Sequence, residues 1–360
     1  ELGLDPIEFR YRNASRTGDP MITGKPWPNV NIRSCLEKLR NHPFYAESVK
    51  KENIGSGFAL GIWPCNVSPA GANCRVLEDG TVQLFLGTSD ISGVHTGFAQ
   101  VVAEVLDVPL ETIEVVQQDT HSGPVAPVSG GSMVSYSVIG AIREASSEVR
   151  DRLLKLAANY FEADIQDLEL QQGKVRVTGV PSQSVSISQL VKWSETSRKG
   201  EGPVMGSGSC SLPDNAPAPS VHWVQVKVDP DTGQVTPLKY LAIQDVGFAL
   251  NPMLVEGQIH GGVAQGLGWG LREGMEFDDQ GLLLNPSFMD YALFRADEVP
   301  PLEIILVQEP STHGPYGIRG VGEPPIVPGA AALASAVEDA VGVRISELPI
   351  RPQTLWEAMR

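Results

Sequence analysis

The sequence predicts an α/β (α+β) fold built from duplicated mixed-sheet α/β units. Short apolar segments bounded by turn residues alternate with longer segments whose apolar residues recur at helical period. The chain has 360 residues, which is too long for one simple core and favours two or three packed units. One order of strands, turns and helices also occurs twice along the chain, which is typical of an internal duplication.

The first occurrence of this order begins after Gly57. Three short apolar strands are followed by a Gly-rich corner, an apolar helix, a further strand and a loop rich in Gly, Ser and Pro that leads into a long helix. Glu78-Asp79-Gly80 forms the hairpin turn between two of the strands. The predicted elements are the strands Phe58–Trp63, Asn73–Leu77, Val82–Leu86 and Ile113–Gln117 and the helices Thr96–Leu106 and Val134–Asn159.

The second occurrence begins at Val221. A strand, the acidic turn Asp229-Pro230-Asp231-Thr232-Gly233 and a second strand lead through Asn251-Pro252 into a Gly-rich helix, and a later strand leads into an Ala-rich helix. Both occurrences therefore consist of a strand, an acidic turn with glycine, a strand, a Gly/Asp corner and a helix. The predicted elements are the strands Val221–Val228, Val235–Asp245 and Leu302–Val307, a helix over Leu254–Leu271, and a helix from near Pro325 to Val341 that Gly342 caps.

Three segments are predicted from these patterns. Residues 1–54, with two short helical stretches and several prolines, are expected to form a covering arm. Residues 55–220 are expected to form a first α/β subdomain, in which residues 160–220 contain a small hairpin, Leu168–Val177. Residues 221–360 are expected to form a second α/β subdomain.

Composition excludes several classes of function. The formal charge of −16 argues against nucleic acid and anionic membrane surfaces as partners. No run of about 18 apolar residues and no signal peptide are present, so a cytoplasmic location is expected. The four cysteines form no CxxC pair, which argues against zinc and iron–sulfur ligation on this chain. The sequence also lacks HExxH, Gly-x-Ser-x-Gly and P-loop motifs.

The segment Gly317-Ile-Arg-Gly-Val-Gly-Glu323-Pro-Pro is a candidate for acid–base chemistry. Glycines let the backbone approach a ligand closely, and the two prolines fix φ where a helix is expected to begin. Ahead of a helix N-terminus, the dipole favours the ionised form of a carboxylate, which suits a general base. A glutamate that only caps the helix is the alternative.

The helix over residues 254–271 contains glycines that need an explanation. Each glycine in a helix interior costs about 0.8–1.0 kcal/mol relative to alanine. A flat ligand or a second helix packed on Gly261, Gly262 and Gly266 would supply a reason, and tight packing on the protein's own sheet is the alternative. The amide of Gln258, one turn earlier, can pair with the donor and acceptor edge of a heterocycle.

Two further segments place glycines and hydroxyls ahead of helices. Backbone amides at a helix N-terminus form an anion site suited to a phosphate, while simple capping by Ser132 or Ser135 is the alternative. The candidate residues are Gly130, Gly131, Ser132, Met133, Val134 and Ser135 ahead of the long helix, and Ser92 and Gly93 in the corner Gly87–Thr96.

In this order along the chain, these motifs resemble the molybdenum hydroxylases, the family of xanthine dehydrogenase and aldehyde oxidase. Gly320-Val-Gly-Glu323-Pro-Pro is the most specific part of the resemblance. The resemblance covers nearly the whole chain and corresponds to the C-terminal half of the molybdenum-cofactor-binding subunit. The other matching segments are Leu2–Asn13, Gly87–Thr96, Gly130–Ser135, Asp245–Gly268 and Leu348-Pro-Ile-Arg-Pro.

The resemblance implies a molybdopterin-binding oxidoreductase that hydroxylates an N-heterocycle or an aldehyde with water as the oxygen source. Glu323 would be the base beside the molybdenum, with Gly322 next to it, and Gln258 would hydrogen-bond the pterin. Gly130–Ser135, Ser92 and Gly93 would line the cofactor, which is molybdopterin or its cytosine dinucleotide form. The dithiolene of the pterin, and no side chain, would hold the metal.

The resemblance also implies partners. Electrons would leave through [2Fe-2S] clusters to FAD on partner domains or subunits, so an iron–sulfur subunit and an FAD subunit are expected in a heteromeric complex. The family's N-terminal half has no counterpart in this sequence, and we expect either that a partner chain supplies this half or that the sequence is a truncated fragment. A second departure is Ser92, which stands where the family usually has glutamine. Alternatives are a carbon monoxide dehydrogenase- or aryl-CoA dehydroxylase-like enzyme, or a non-catalytic relative with an assembly role.

Overall fold

The computed structural model describes residues 2–46 and 51–360, so residues 1 and 47–50 of the predicted arm lie outside the described residues. The α-helices are α1 (Pro6–Asn13), α2 (Ile32–Arg40), α3 (Pro43–Ala46), α4 (Val94–Leu106), α5 (Val134–Phe161), α6 (Ile187–Thr196), α7 (Pro252–Leu271), α8 (Gly329–Val341) and α9 (Pro352–Ala358). The strands are β1 (Ile54–Trp63), β2 (Ala70–Val76), β3 (Val82–Leu86), β4 (Ile113–Gln117), β5 (Leu168–Gln171), β6 (Lys174–Val177), β7 (Val180–Ser186), β8 (Val204–Cys210), β9 (Ala218–Val228), β10 (Val235–Asp245) and β11 (Leu302–Val307).

The described chain forms two compact units that do not follow the order of the sequence. Unit 1 contains residues 1–65 and 216–360, and unit 2 contains residues 66–215. The arm helices α1 and α2 belong to unit 1, where α2 packs on β9 and β10. The predicted boundaries at residues 54 and 220 lie within about a dozen residues of these divisions, and the assignment of three functional segments stays a prediction.

Unit 2 is built on a mixed sheet with the order β4-β3-β2-β8 among the described residues. The hairpin β2–β3 is antiparallel, β3 and β4 are parallel, and β8 pairs antiparallel with the free side of β2. The helices α4 and α5 pack against each other, and α5 lies on β2 and β8. A small antiparallel sheet, β5-β6-β7, follows α5 in the chain.

Unit 1 repeats this arrangement with the sheet order β11-β10-β9-β1 in the described ranges. The hairpin β9–β10 is antiparallel, β10 and β11 are parallel, and β1 pairs antiparallel with β9. Helix α8 lies on β1 and β9 as α5 lies on β8 and β2 in unit 2. The predicted mixed α/β class is thus confirmed, and the two units share one sheet order.

The core of unit 1 has two layers because its sheet is covered on both faces. Val221 and Trp223 of β9 face the arm and pack in a cluster that includes Leu36 and Leu39 of α2. Val224 and Val226 point to the opposite face, among side chains of α7 and α8. Successive side chains of a strand point to opposite faces, so alternate residues of β9 are buried in different layers.

One predicted assignment needs correction. The strand at residues 58–63 was expected in the first subdomain, but its strand, β1, pairs with β9 over Ile54–Trp63 and completes the sheet of unit 1. Residues 160–220 were expected to contain the hairpin Leu168–Val177, which β5 and β6 confirm. The same stretch also forms α6, β7 and β8, and β8 is an edge of the unit 2 sheet. None of the described helices is long and apolar enough to span a bilayer.

Candidate functional site

The predicted site residues of unit 1 follow its two parallel strands: Gln258 lies on α7, after β10, and Gly322 and Glu323 lie on the loop after β11. The carboxyl ends of parallel strands meet at one edge of a sheet, where open α/β folds bind ligands. The N–H of Val246, just after β10, donates to Val307 O at the end of β11, with a distance of 3.1 Å. One loop leads from β10 into α7, and the other runs from β11 through Glu323 to α8.

Glu323 is half-buried and directly precedes a single 3₁₀ turn, Pro324–Ile326. Its carbonyl accepts a hydrogen bond from Ile326 N at 3.1 Å. Within the part of the chain that the structure describes, the Glu323 side chain makes no capping hydrogen bond to this turn, which argues against the simple capping alternative. The predicted helix begins later than expected, at Gly329, so the carboxylate gains little from the α8 dipole, whose effect is confined to the first turn.

Two buried side chains hold the backbone on either side of Glu323. Ser220 Oγ of β9 donates to the carbonyl of Pro324 at 3.2 Å, and Cys65 Sγ donates to the carbonyl of Gly320 at 3.5 Å. Burial raises the pKa of the Cys65 thiol to about 12, and the nearby Glu323 carboxylate also disfavours the thiolate. Cys65 therefore stays protonated and acts as a donor to the loop.

The glycines of α7 fall into two groups. A Cβ added to Gly262 would lie 2.6 Å from Pro325 Cβ, and one added to Gly266 would lie 3.2 Å from Gly329 Cα. These two glycines let α7 pack tightly on the turn after Glu323 and on the start of α8. By contrast, no described atom lies within 4 Å of a Cβ placed on Gly257 or Gly261.

Gln258 is half-buried and lies between the two open glycines. Residues four apart share one side of a helix, so Gln258 is on the side of Gly262, which packs on the turn that follows Glu323. The structure therefore brings Gln258, Gly322 and Glu323 to neighbouring elements of unit 1. It accounts for Gly262 and Gly266 by packing, and it leaves the side of Gly257 and Gly261 open to a ligand.

The predicted residues of unit 2 lie on the equivalent loops of the second sheet. Gly130–Ser135 are all half-buried at the start of α5. Gly131 and Ser132 have left-handed backbones with φ of 69° and 55°, and Gly131 O accepts a hydrogen bond from Asn66 N at 2.9 Å. Met133 is the N-cap residue of α5, and its side chain makes no capping hydrogen bond to this helix.

The corner before α4 is also left-handed. Ser92 and Gly93 have φ of 62° and 75°. Ser92 is exposed, and its hydroxyl donates to the carbonyl of Ile91 at 2.5 Å, so its short side chain is engaged locally. This corner and the loop before α5 leave the same edge of the sheet, and a Cβ on Gly87 would collide with the carbonyl of Pro124.

The sequence interpretation missed a buried ion pair in unit 1. Arg319 Nε lies 3.1 Å from Asp245 Oδ2, and both side chains are completely buried. Burial raises the pKa of Asp245, while Arg319 and the N–H of Gly247 oppose that rise. An arginine within a glycine-rich loop is the signal that was available in the sequence.

A separate feature of the described residues is how their possible metal-ligating side chains are arranged. Over residues 2–46 and 51–360, no group of three or more His, Cys, Asp or Glu side chains is arranged to hold a metal ion.

Comparisons with known proteins point to a molybdopterin cofactor. A family model described as "Molybdopterin cofactor-binding domain" matches residues 33–300. The chain is 34% identical to the xanthine dehydrogenase molybdenum-binding subunit of Escherichia coli O157:H7, over 99% of this chain and 50% of that protein. It is 30% identical to the carbon monoxide dehydrogenase large chain of Hydrogenophaga pseudoflava, over 100% of this chain and 49% of that one.

Solved structures agree with these relatives. The fold is similar to that of quinoline 2-oxidoreductase from Pseudomonas putida 86, with a TM-score of 0.85, 26% identity, and coverage of 99% of this chain and 50% of that one. The chain spans about half the length of the curated relatives it matches. It therefore belongs to the molybdopterin cofactor-binding domain family of the molybdenum hydroxylases, the group that includes xanthine dehydrogenase and aldehyde oxidoreductase.

Proposed function

We propose that this chain is the catalytic, molybdopterin-binding part of a xanthine dehydrogenase-like oxidoreductase, with Glu323 as its general base. The enzyme would hydroxylate an N-heterocycle or an aldehyde with water as the oxygen source. The observation that carries the proposal is Glu323 itself: a half-buried carboxylate that does not cap the turn beside it, on a fixed loop at the ligand-binding edge of a sheet. The family match ends at residue 300, so the role of Glu323 rests on this geometry and on the Gly-Glu-Pro-Pro motif.

The residues of unit 2 suit the anionic part of the cofactor. The first N–H groups of an α-helix have no partner inside the helix. The N-cap residues of α4 and α5, Gly93 and Met133, make no side-chain capping bond, although Asp90 Oδ1 accepts from His95 N of α4 at 3.0 Å. The backbone is left-handed at Gly131, Ser132, Ser92 and Gly93, in the segments that follow the parallel strands β3 and β4. We infer that Gly130–Ser135 bind the phosphate or dithiolene side of the cofactor, and that Ser92 and Gly93 contact it mainly through their backbone.

The residues of unit 1 suit the flat part of the cofactor. The side of α7 at Gly257 and Gly261 has room for a planar ring, because no described atom occupies the space a Cβ would meet there. Gln258 lies between these glycines and offers both a donor and an acceptor. We infer that it hydrogen-bonds the pterin edge, with Gly322 allowing close approach beside Glu323.

Glu323 would act by moving one proton. In its ionised form, the Glu323 carboxylate would accept the proton of the water-derived oxygen while this water-derived oxygen attacks an electrophilic carbon of the substrate. When bound, the molybdenum cofactor would supply the redox centre to which the substrate carbon loses its hydrogen together with two electrons, so that the new C–O bond replaces a C–H bond. Ser220 and Cys65 hold the backbone around Glu323, so the base does not need to be ordered again at each turnover.

The proposal requires partners. Because the chain spans half of its relatives, we infer that the other, N-terminal half of the molybdenum subunit completes the active site. Electrons would pass to [2Fe-2S] clusters and FAD on an iron–sulfur subunit and an FAD subunit. The cytoplasm is the expected location of this complex.

Carbon monoxide oxidation is the second candidate. The match to a carbon monoxide dehydrogenase large chain covers 100% of this chain and 49% of that relative. A structure of a carbon monoxide dehydrogenase superposes on this chain with a TM-score of 0.86. Assays with carbon monoxide, purines, quinolines and aldehydes on one preparation would separate the two candidates. A preparation with all partners and no molybdenum would instead support a non-catalytic assembly role.

The decisive experiment compares wild type with Glu323→Gln in the complex purified with its partners. We expect equal molybdenum content in both, and a fall of at least about 100-fold in substrate oxidation in the variant, because general-base catalysis contributes about 10²–10⁴-fold. Glu338→Gln is the control, since it removes the same charge from an exposed residue of α8. Equal activity of Glu323→Gln and wild type would refute the assignment.

A further inference from the structure

Arg319 ties the loop that carries Glu323 to three separate parts of unit 1. Its side chain is buried, and its guanidinium donates from Nη1 to Pro217 O at 2.7 Å and from Nη2 to Asn29 O at 2.8 Å. Its third nitrogen, Nε, lies 3.1 Å from Asp245 Oδ2, outside the direction of a good hydrogen bond, so this contact is mainly an ion pair. The arm, the start of β9 and the end of β10 therefore meet at one side chain.

Asp245 is itself held in place. Its Oδ1 accepts from Gly247 N at 3.0 Å, and its Oδ2 accepts from Asn31 Nδ2 at 2.9 Å. The carboxylate thus has both a charged partner and two neutral donors, in a position with no exposed surface. A charge pair is tolerated in the interior only when its remaining hydrogen bonds are satisfied in this way.

The backbone of the same loop is fastened to the end of β10. Arg319 N donates to the carbonyl of Val246, just after β10, at 3.0 Å. Within the loop itself, Ser311 N donates to Gly317 O at 2.7 Å. Gly247 has a left-handed φ of 65°, and a Cβ there would collide with the carbonyl of Gly317. Arg319 is four residues before Glu323, so its position limits where the carboxylate can lie.

A buried ion pair is a poor source of net stability. Replacing such a pair by well-packed apolar residues is often neutral or stabilising, whereas a single charge left unpaired is costly. The ion pair is therefore better explained by selection of one path for the loop than by its contribution to the free energy of folding. The feature on this loop that needs one path is the carboxylate of Glu323.

We propose that Arg319 and Asp245 are positioning residues that set the place of the Glu323 carboxylate. Neither residue is proposed to touch the substrate or the cofactor. The inference rests on the proposed function, because it takes Glu323 as the base. A displacement of about 1 Å at a reacting group lowers rates by up to about 100-fold, so a small shift of this loop is enough to matter.

The test uses Arg319→Lys in the complete complex. Lysine keeps the charge but cannot reproduce the fixed geometry in which the guanidinium donates to two separate carbonyls while it lies beside Asp245. We expect kcat to fall about 10- to 100-fold with KM and molybdenum content unchanged, and we expect hydrogen–deuterium exchange of residues 314–328 to become at least about 10-fold faster. Arg351→Lys is the matched control, because Arg351 forms an exposed ion pair with Glu276 in the same unit, and we expect no change in any of these quantities.

Asn31→Ala is the second variant, in case Arg319→Lys does not assemble. It removes one hydrogen bond to Asp245 and leaves the ion pair in place, so a smaller fall in kcat and a smaller rise in exchange are expected. Any one of three results, seen in both Arg319→Lys and Asn31→Ala, would overturn the positioning role: unchanged hydrogen–deuterium exchange at residues 314–328, an unchanged kcat, or loss of molybdenum. Failure of the proposed function is recognised separately, by full activity of Glu323→Gln.

Discussion

Gly261 and Gly262 are neighbours on α7, and we expect an alanine to be stabilising at Gly261 but neutral to destabilising at Gly262. Both substitutions add the same methyl group to the same helix. At Gly261 the added Cβ meets no described atom within 4 Å, whereas at Gly262 it lies 2.6 Å from Pro325 Cβ and 3.1 Å from the backbone carbon of Pro325. The pair therefore isolates the effect of tertiary packing from the effect of helix propensity.

The magnitudes follow from these contacts. Alanine is favoured over glycine in a helix by about 0.8–1.0 kcal/mol, so Gly261→Ala should stabilise unit 1 by up to about 1 kcal/mol. Carbon atoms pack best at about 3.5–4.0 Å, so the proline at residue 325 must move by about 1 Å in Gly262→Ala. Overpacking of this kind costs about 1–3 kcal/mol. The intrinsic preference is the same in both variants, and the difference between them should therefore be about 1–3 kcal/mol.

Urea unfolding of wild type and both variants measures this difference. The unfolding transition of unit 1 should move to higher urea for Gly261→Ala and to lower or equal urea for Gly262→Ala, with equal m-values. Both residues lie in one helix, so the same cooperative transition is compared in every case. A Gly262→Ala variant that is at least as stable as Gly261→Ala would refute the packing of α7 on the turn that follows Glu323.

Two further predictions concern stability. Burial lowers the pKa of His222 from 6.5 to about 3, so the unfolded chain binds this proton more tightly than the folded chain. The contribution of neutral His222 to the free energy of unfolding is complete above about pH 6.5. It is lost as the pH falls toward 3, at up to about 1.4 kcal/mol per pH unit. Unfolding measured between pH 4.5 and 6.5 should therefore depend less on pH in His222→Gln than in wild type, and equal slopes would contradict this. Ser186 caps α6 in a capping box with Gln189, so Ser186→Ala should destabilise unit 2 by about 1 kcal/mol in thermal unfolding. The control, Ser184→Ala, changes an exposed residue and should alter stability by less than about 0.5 kcal/mol. Equal effects of the two substitutions would contradict the capping role of Ser186.

Local patterns determined most of the secondary structure. Strands β3, β4, β10 and β11 have the bounds predicted from apolar runs and turns, and Gly342 ends α8 with the left-handed φ of 74° expected of a cap. These features depend on neighbours in sequence, because periodicity and turn chemistry are local. The duplication was visible for the same reason, since each copy contains the same local order of elements.

Strand β8 shows where local patterns fail. Its sequence, Val-Met-Gly-Ser-Gly-Ser-Cys, contains two glycines, which disfavour strands. The structure explains them: a Cβ on Gly206 or Gly208 would collide with carbonyls of α5, so the glycines let the helix lie close to the sheet. This reason depends on a helix that precedes β8 by more than forty residues and cannot be read from the strand itself.

The site shows the same division between sequence and structure. The sequence by itself determined the candidate residues, because the Gly-Glu-Pro-Pro loop, the Gly-rich helix and the Gly-Ser-rich loop are each continuous in the chain. Only the tertiary structure decided that Gly262 packs on the turn after Glu323 while Gly261 stays open, and that Arg319 pairs with Asp245. The physical reason is that packing and buried charge pairs join residues far apart in sequence, where no local periodicity or spacing records the contact.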